Sequence, residues 1–143
     1  SYSKVDMVSF HYEACAIDGQ DPVELLRKIK SLGMKAGLAI NPNVPVDRIF
    51  PLLDEVDYVV VMCVFAGFGG QKFMEQSYDR IRAIRAEAVK RGLNIDIEAD
   101  GGVGTANSAD VTAAGATMLV AGSAVFKAEN PADVISQMKD IPF

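Results

Sequence analysis

Short apolar runs alternate with helix-like segments along the chain, and this alternation limits the possible folds more than any other feature. A regular β-α alternation is typical of a parallel sheet, because each crossover returns the chain to the same end of the next strand. Val59, Val60 and Val61 follow one another with no polar residue between them, as in a strand covered on both faces. The five predicted strands are residues 5–10, 35–40, 58–64, 94–99 and 118–121.

The segments between these runs carry the signals that start and stop helices. Asp21 precedes Pro22 at the start of the first one, and Gly33 follows its end. Pro51 lies inside the second segment, which is therefore expected to be irregular. The predicted helices cover residues 22–32, 46–53, 76–91, 106–114 and 131–139. No linker, low-complexity tract or shift in composition divides the chain, so residues 1–143 are predicted to form a single domain.

Composition and charge exclude several classes of protein. Hydrophobic residues make up 50% of the chain, which is enough for a sizeable core and excludes a disordered or fibrous protein. A net charge of −5 gives no general attraction to nucleic acid or an anionic membrane, so neither is an expected partner. No apolar stretch approaches the roughly 18–20 residues that span a bilayer, and residues 1–6 do not resemble a signal peptide. Cys15 and Cys63 form no CxxC motif and are expected to be buried free thiols, which together predict a cytoplasmic protein.

Two architectures share the β-α pattern: an open doubly wound sheet and an arc of a closed βα barrel. Five units are too few for a complete eight-stranded barrel, and hydrophobic periodicity alone does not separate the two architectures. In both, ligands bind beyond the carboxyl ends of the strands. The residues immediately after each apolar run are therefore the candidates for a functional site.

Three glycine-bearing loops follow the last three predicted strands. Glycine lets backbone N–H groups approach an anion closely, and a following helix offers its positive N-terminus, so the loops predict a phosphate site. TIM barrels build such a site from the loops after strands seven and eight. A tight structural turn is the alternative for each loop taken alone. Residues 123–126 are expected to form a small extra helix that donates N–H groups. The candidate phosphate-binding residues are Gly69, Gly70, Gly101, Gly102, Gly122 and Ser123.

Asp100 is the strongest catalytic candidate. It lies at the end of a buried strand, where a carboxylate is costly unless it is paired, hydrogen-bonded or bound to metal. The alternative is a cap or turn residue before two glycines. Glu98 shares the parity of Asp100 and is a candidate partner on the same face. His11 and Glu13 share a parity in the same way. A lone histidine is more often a hydrogen-bonded packing residue than a ligand, and no site with three or four metal ligands emerges.

Five segments carry a specific resemblance, in order and spacing, to ribulose-phosphate 3-epimerases. The segments are SFHYEA (9–14), GMKAGLAINP (33–42), GFGGQKF (67–73), EADGGV (98–103) and VAGSAVF (120–126). They resemble the family's motifs for strands four to eight and cover essentially the whole chain. The resemblance therefore favours the barrel: an α/β fold of five parallel βα units from a TIM (β/α)8 barrel, present here as a partial barrel.

The resemblance also implies a reaction: metal-assisted proton transfer at C3, which interconverts ribulose 5-phosphate and xylulose 5-phosphate. Two aspartates would face opposite sides of that carbon while a divalent metal (Zn, Fe, Mn or Co) stabilises the enediolate. Asp100 matches the family aspartate that is both a metal ligand and an acid–base group. His11 matches a position near the substrate. Met62 matches a methionine that forms an apolar wall over the reacting carbon, and a plain core residue is the alternative. The glycine loops match the family's phosphate-binding loops.

The resemblance also predicts what this chain lacks. The family's first three strands would carry the other catalytic aspartate and two histidine ligands, so the chain alone is expected to be inactive. Residues 5–10 and 118–121 are expected to be free sheet edges, which predicts a homo-oligomer or pairing with a complementary half-barrel. The expected ligand is a small sugar phosphate. A non-catalytic sugar-phosphate-binding fragment, a hexulose-phosphate epimerase and a related decarboxylase or synthase remain alternatives.

Overall fold

A computed structural model describes residues 7–64, 73–121 and 124–127, which form one six-stranded sheet flanked by helices. Strands β1 to β5 are parallel, and each pairs with the next strand in the sequence. An open doubly wound sheet would reverse its strand order at a switch point, whereas a barrel arc keeps the order of the sequence. The prediction of a parallel βα barrel arc is therefore confirmed. The strands are β1 (Met7–His11), β2 (Lys35–Ile40), β3 (Tyr58–Met62), β4 (Asp96–Asp100), β5 (Met118–Ala121) and β6 (Ala124–Lys127).

The helices follow the predicted positions closely, with one addition. The first two predicted helices become α2 and a pair of 3-10 helices, and Pro51 falls in the first turn of the second 3-10 helix, as expected from an irregular segment. The addition is a short helix directly after β1, which ends at Gly19 with a φ of 70°. The elements are α1 (Tyr12–Asp18), α2 (Pro22–Ser31), α3 (Gln76–Lys90), α4 (Ser108–Ala114) and 3-10 helices at Val46–Arg48 and Phe50–Glu55.

The predicted start and stop of α2 are confirmed. The Asp21 carboxylate accepts a hydrogen bond from the N–H of Val23 at 2.9 Å, which satisfies one of the free donors of the first turn. Pro22 occupies the first helical position, where its missing N–H costs nothing. Gly33 follows with a φ of 82°, a left-handed conformation that suits glycine.

The two faces of the sheet carry different side chains because residues in a strand alternate in direction. The outer face packs against the helices through a large apolar cluster that includes Leu38, Val59 and Ile97. The inner face carries a smaller buried cluster, to which Met7 adds a partly buried side chain. The buried members of the inner cluster are Ala39, Tyr58, Val60, Met62 and Met118.

The end of the described chain corrects two predictions. Residues 123–126 were expected to form a small helix, but Ala124–Lys127 is a strand that pairs antiparallel with β5. Residues 118–121 were expected to be a free sheet edge, but β5 lies between β4 and β6 and pairs with both. An unpaired edge of β5 would expose its backbone N–H and C=O groups. Because only two residues separate β5 from β6 in sequence, β6 can fold back and form hydrogen bonds with these groups. At the other side, β1 pairs only with β2 among the described residues.

Several predictions lie outside the described residues. They are the helix at residues 131–139 and four of the candidate phosphate-binding residues: Gly69, Gly70, Gly122 and Ser123. Within the described ranges, no helix has the length and hydropathy needed to cross a membrane.

Candidate functional site

The register of the sheet brings the candidate residues to the inner face. Met62 is the direct partner of Asp100 across β3 and β4. Two residues earlier in the register, His11 pairs with Ala39, and the same row continues across the sheet through Val60 to Glu98. Since these strands are parallel and their residues alternate between faces, His11, Glu98 and Asp100 share the inner face near the carboxyl ends. The predicted common face of Glu98 and Asp100 is confirmed.

Asp100 is partly buried at the end of β4, and this burial controls its chemistry. Removal from water raises the pKa of its carboxyl group, because the charged form loses solvation, while the nearby His11 charge acts in the opposite direction. Its backbone carbonyl accepts a hydrogen bond from the N–H of Cys63 at 2.7 Å, which fixes the end of β4 against β3. The backbone at Asp100 is therefore fixed, and its carboxyl group retains a proton to higher pH than a solvated aspartate.

Glu98 lies beneath Asp100 on the same strand. Burial raises its pKa to about 7, and the negative charge of Asp100 adds to the rise. Two carboxyl groups that share a sheet face and both have raised pKa values form a site able to hold and release a proton.

His11 is hydrogen-bonded at the end of β1. Its Nδ1 lies 3.2 Å from Oε1 of Glu13, which stands in the first turn of α1. The other carboxylate oxygen of Glu13 accepts a hydrogen bond from the N–H of Asn41 at 3.2 Å. The imidazole is 36% exposed and the Glu13 side chain 31% exposed, so the pair lies at a boundary that solvent still reaches.

Arg80 is a residue of this region that the sequence prediction missed. From α3 its guanidinium donates to the carbonyl of Val44 at 2.7 Å and to that of Asn41 at 3.0 Å. Burial lowers its pKa, while the negative charge of Glu13 acts the other way. In sequence, Arg80 lies next to Ile81 at the border of the apolar helix face, which is a weak signal.

Met62 is confirmed as a core residue, and its role as a wall over the reacting carbon stays a prediction. Its side chain is 9% exposed and belongs to the inner apolar cluster. Its position opposite Asp100 also places it beside the strongest catalytic candidate.

Gly101 and Gly102 are required by packing as well as by backbone conformation. Their φ angles are 106° and 70°, in the region that favours glycine. A Cβ on Gly101 would lie 2.5 Å from Cγ2 of Val64, and one on Gly102 would lie 2.6 Å from the backbone nitrogen of Phe73. The turn after β4 thus packs against residues that flank the loop after β3. Both glycines have a structural role here, and their predicted contact with phosphate stays a prediction.

The described donor set does not by itself fit a catalytic metal. In the ranges that the structure covers, no group of three or more His, Cys, Asp or Glu side chains is placed to hold an ion. A catalytic zinc site uses three protein ligands, and Asp100 offers one carboxylate. The role of Asp100 as a metal ligand therefore depends on donors beyond those described.

Comparison with known proteins gives consistent matches. The model of the ribulose-phosphate 3-epimerase family matches residues 1–126. Ribulose-phosphate 3-epimerase of Eremothecium gossypii is 43% identical over 135 residues, covering 94% of this chain and 53% of that protein. The chloroplastic ribulose-5-phosphate-3-epimerase of Arabidopsis thaliana is 45% identical over 137 residues, covering 94% and 47%. Ribulose-phosphate 3-epimerase of Escherichia coli K12 is 38% identical over 133 residues, covering 93% and 57%. The chain spans about half the length of these curated relatives.

Proposed function

The chain belongs to the ribulose-phosphate 3-epimerase family, and from this premise we propose that it supplies one proton-transfer group for epimerisation at C3 of ribulose 5-phosphate. That group is the carboxyl of Asp100. The observation that carries the proposal is its placement at the carboxyl end of β4, partly buried, with a raised pKa and opposite Met62. A carboxyl group whose pKa is raised by burial binds a proton more readily than a solvated aspartate and is suited to general acid–base catalysis.

The proposed step is a proton transfer at one carbon. In its ionised form, Asp100 removes the C3 proton. The electron pair of the C–H bond forms a double bond between C2 and C3, and the π pair of the C2 carbonyl moves onto its oxygen to give an enediolate. A proton returned to the opposite face of C3 produces xylulose 5-phosphate and requires a second acid. Run in reverse, protonated Asp100 donates to C3. The same residue therefore serves as the acid for one substrate and the base for the other.

The inner apolar cluster supports this chemistry by limiting water. Tyr58, Val60 and Met62 are each less than 10% exposed and lie on the face that carries Asp100. Water at the reacting carbon would exchange its protons with the enediolate, so an apolar wall beside the carboxyl group protects the intermediate.

The phosphate of the substrate is proposed to lie at the glycine loops. Gly101 and Gly102 follow Asp100 directly, so a sugar whose C3 is near that carboxyl has its phosphate within reach of the same edge. The contributions of the other glycine loops, and of Ser123, stay predictions because those residues lie outside the described ranges.

A divalent metal and a partner complete the proposal. Because the described residues provide no three-donor group, the 143-residue chain alone is proposed to have no metal-dependent turnover. Further donors would come from a complementary half-barrel placed beside β1, the strand that pairs only with β2 among the described residues. Association of two copies through the same edge is the alternative arrangement. The cytoplasmic location expected from the sequence stays a prediction.

The test is conversion of ribulose 5-phosphate to xylulose 5-phosphate with Zn²⁺, Fe²⁺, Mn²⁺ or Co²⁺ added in turn. The 143-residue chain is assayed alone and after co-expression with a segment of the Eremothecium gossypii enzyme from outside the 135 matched residues. We expect no metal-dependent turnover by the chain alone and turnover by the pair.

Metal-dependent turnover by the chain alone would overturn the proposed need for further donors. A folded, stable pair that binds ribulose 5-phosphate without converting it would instead support a non-catalytic sugar-phosphate-binding fragment.

A further inference from the structure

We infer that Glu13 is a positioning residue that holds the ring of His11 as its Nδ1–H tautomer, leaving Nε2 free to accept a hydrogen bond from a substrate hydroxyl. The substrate part of this inference rests on the proposed function. The tautomer part is a property of the protein alone and is testable without substrate.

The geometry of Glu13 leaves one role for Nδ1. A carboxylate only accepts hydrogen bonds, so with Oε1 of Glu13 at 3.2 Å, the nitrogen of His11 must be the donor. The imidazole then carries its proton on Nδ1. None of the hydrogen bonds among the described residues uses Nε2 of His11. In the neutral ring this second nitrogen is an acceptor.

Glu13 is itself fixed on its other side. Oε2 accepts the N–H of Asn41 at 3.2 Å, directly after β2, and the carbonyl of Asn41 accepts from Arg80 at 3.0 Å. The carboxylate also stands in the first turn of α1, where a negative charge is favoured by the helix dipole. Three elements thus hold the side chain that orients the ring.

The oriented ring lies near the proposed reaction centre. His11 and Glu98 occupy the same residue row of the inner face, and Asp100 is two residues further along β4. His11 is also close enough to Asp100 to affect the charge of that carboxyl group. A free acceptor on this face suits a sugar, whose hydroxyl groups are hydrogen-bond donors.

The experiment uses the fact that the chain contains one histidine. Long-range ¹H–¹⁵N NMR spectra of the ¹⁵N-labelled 143-residue chain report which imidazole nitrogen carries the proton, with no ambiguity of assignment. At a pH where the spectrum shows a neutral ring, we expect the Nδ1–H tautomer in the wild type.

Three variants separate the hydrogen bond from other effects. Glu13→Leu removes the acceptor and is expected to abolish the Nδ1–H preference. Glu13→Gln keeps a side-chain oxygen and is expected to retain that preference. Glu24→Leu is the matched control, because Glu24 is also a first-turn glutamate but is exposed and lies on α2; it is expected to change nothing at the histidine.

A wild-type spectrum with the proton on Nε2 would overturn the inference, whatever the variants do. An unchanged tautomer in folded Glu13→Leu would overturn it as well. In a pair assembled from the ¹⁵N-labelled chain and an unlabelled complementary segment, addition of ribulose 5-phosphate is expected to shift the Nε2 resonance of His11. A fixed Nδ1–H tautomer with no shift on binding would sustain the role of Glu13 and remove the hydroxyl contact.

Discussion

Met62 lies directly opposite Asp100 in the parallel register of β3 and β4, so an apolar side chain and the proposed proton-transfer group meet at one end of the sheet. The hydrogen bond from the Cys63 N–H to the Asp100 carbonyl, 2.7 Å long, continues the pairing beyond the last strand residue. A slip of one residue would turn Asp100 to the outer face, because the side-chain period of a strand is two. The site therefore depends on contacts that fix this register.

One such contact is the packing of Tyr58 over Gly37, its register partner on β2. A Cβ on Gly37 would overlap Cζ of the Tyr58 ring, and Tyr58 is only 4% exposed. We expect Gly37→Ala to lower the free energy of unfolding by about 1–3 kcal/mol, the usual cost of overfilling a packed core. Urea unfolding followed by circular dichroism measures the change. Gly104→Ala is the control, since a Cβ there meets nothing within 4 Å, and equal losses in both variants would contradict the packing argument.

A substitution at Gly102 tests whether this glycine is needed for the fold itself or only for binding a ligand. Its φ of 70° and the close approach of the Phe73 backbone both oppose a side chain. We expect Gly102→Ala to cost about 2–4 kcal/mol of stability in phosphate-free buffer. Gly92 has a φ of 69° with open space around it, so Gly92→Ala should cost only about 1 kcal/mol, the conformational part. If thermal or urea unfolding shows the same loss of stability in both variants, the contact with Phe73 does not contribute to the cost of the Gly102 substitution.

Arg80 is expected to stabilise the loop after β2. Arg80→Met removes two donors and leaves the carbonyls of Asn41 and Val44 short of these partners, at an expected cost of about 2–4 kcal/mol. Arg82→Met is the control, because its ion pair with Asp79 is exposed and such pairs contribute about 0–1 kcal/mol. Urea midpoints of the two variants give the comparison. An Arg80 variant as stable as the Arg82 variant would show that the partly buried guanidinium is dispensable.

The raised pKa of Glu98 predicts how stability varies with pH. Its folded value of about 7 lies above the ordinary value of 4.5, so the folded state binds the proton more tightly than the unfolded state. Stability is therefore highest below about pH 5 as far as this group is concerned, falls as the pH rises to about 7, and then levels off. After allowance for partial exposure, we expect a loss of about 2 kcal/mol between about pH 5 and pH 8.

Urea unfolding in metal-free buffer at these two pH values tests this expectation. Glu98→Gln has no proton to lose, so the difference between the two pH values should shrink by about 2 kcal/mol, with the part due to Asp100 retained. A Glu98→Gln variant whose stability changes with pH as much as that of the wild type would contradict the assignment of this pH dependence to Glu98.

The sequence was most informative where the signal is local. The strands predicted at residues 35–40 and 118–121 coincide with β2 and β5, and the cap formed by Asp21 was predicted from adjacent residues. α1 gave no such signal, since His11 makes no side-chain cap hydrogen bond and the helix is only seven residues long.

The missed features depend on contacts between residues distant in sequence. β6 forms because β5 offers an edge, and nothing within residues 124–127 specifies that partner. The role of Gly37 needs the register that places Tyr58 over it, and Arg80 reaches the loop after β2 only once α3 has packed on the sheet. By contrast, the shared face of Glu98 and Asp100 followed from strand parity alone.

The most direct test of the account is deuterium incorporation at C3 of ribulose 5-phosphate in heavy water, measured by NMR with the chain co-expressed with its complementary segment. The wild type is compared with Asp100→Asn, which keeps the shape of the side chain but removes its proton-transfer capacity. We predict exchange by the wild type and a loss of about 10²-fold or more in the variant. A folded Asp100→Asn pair that exchanges the C3 proton as fast as the wild type would contradict the account.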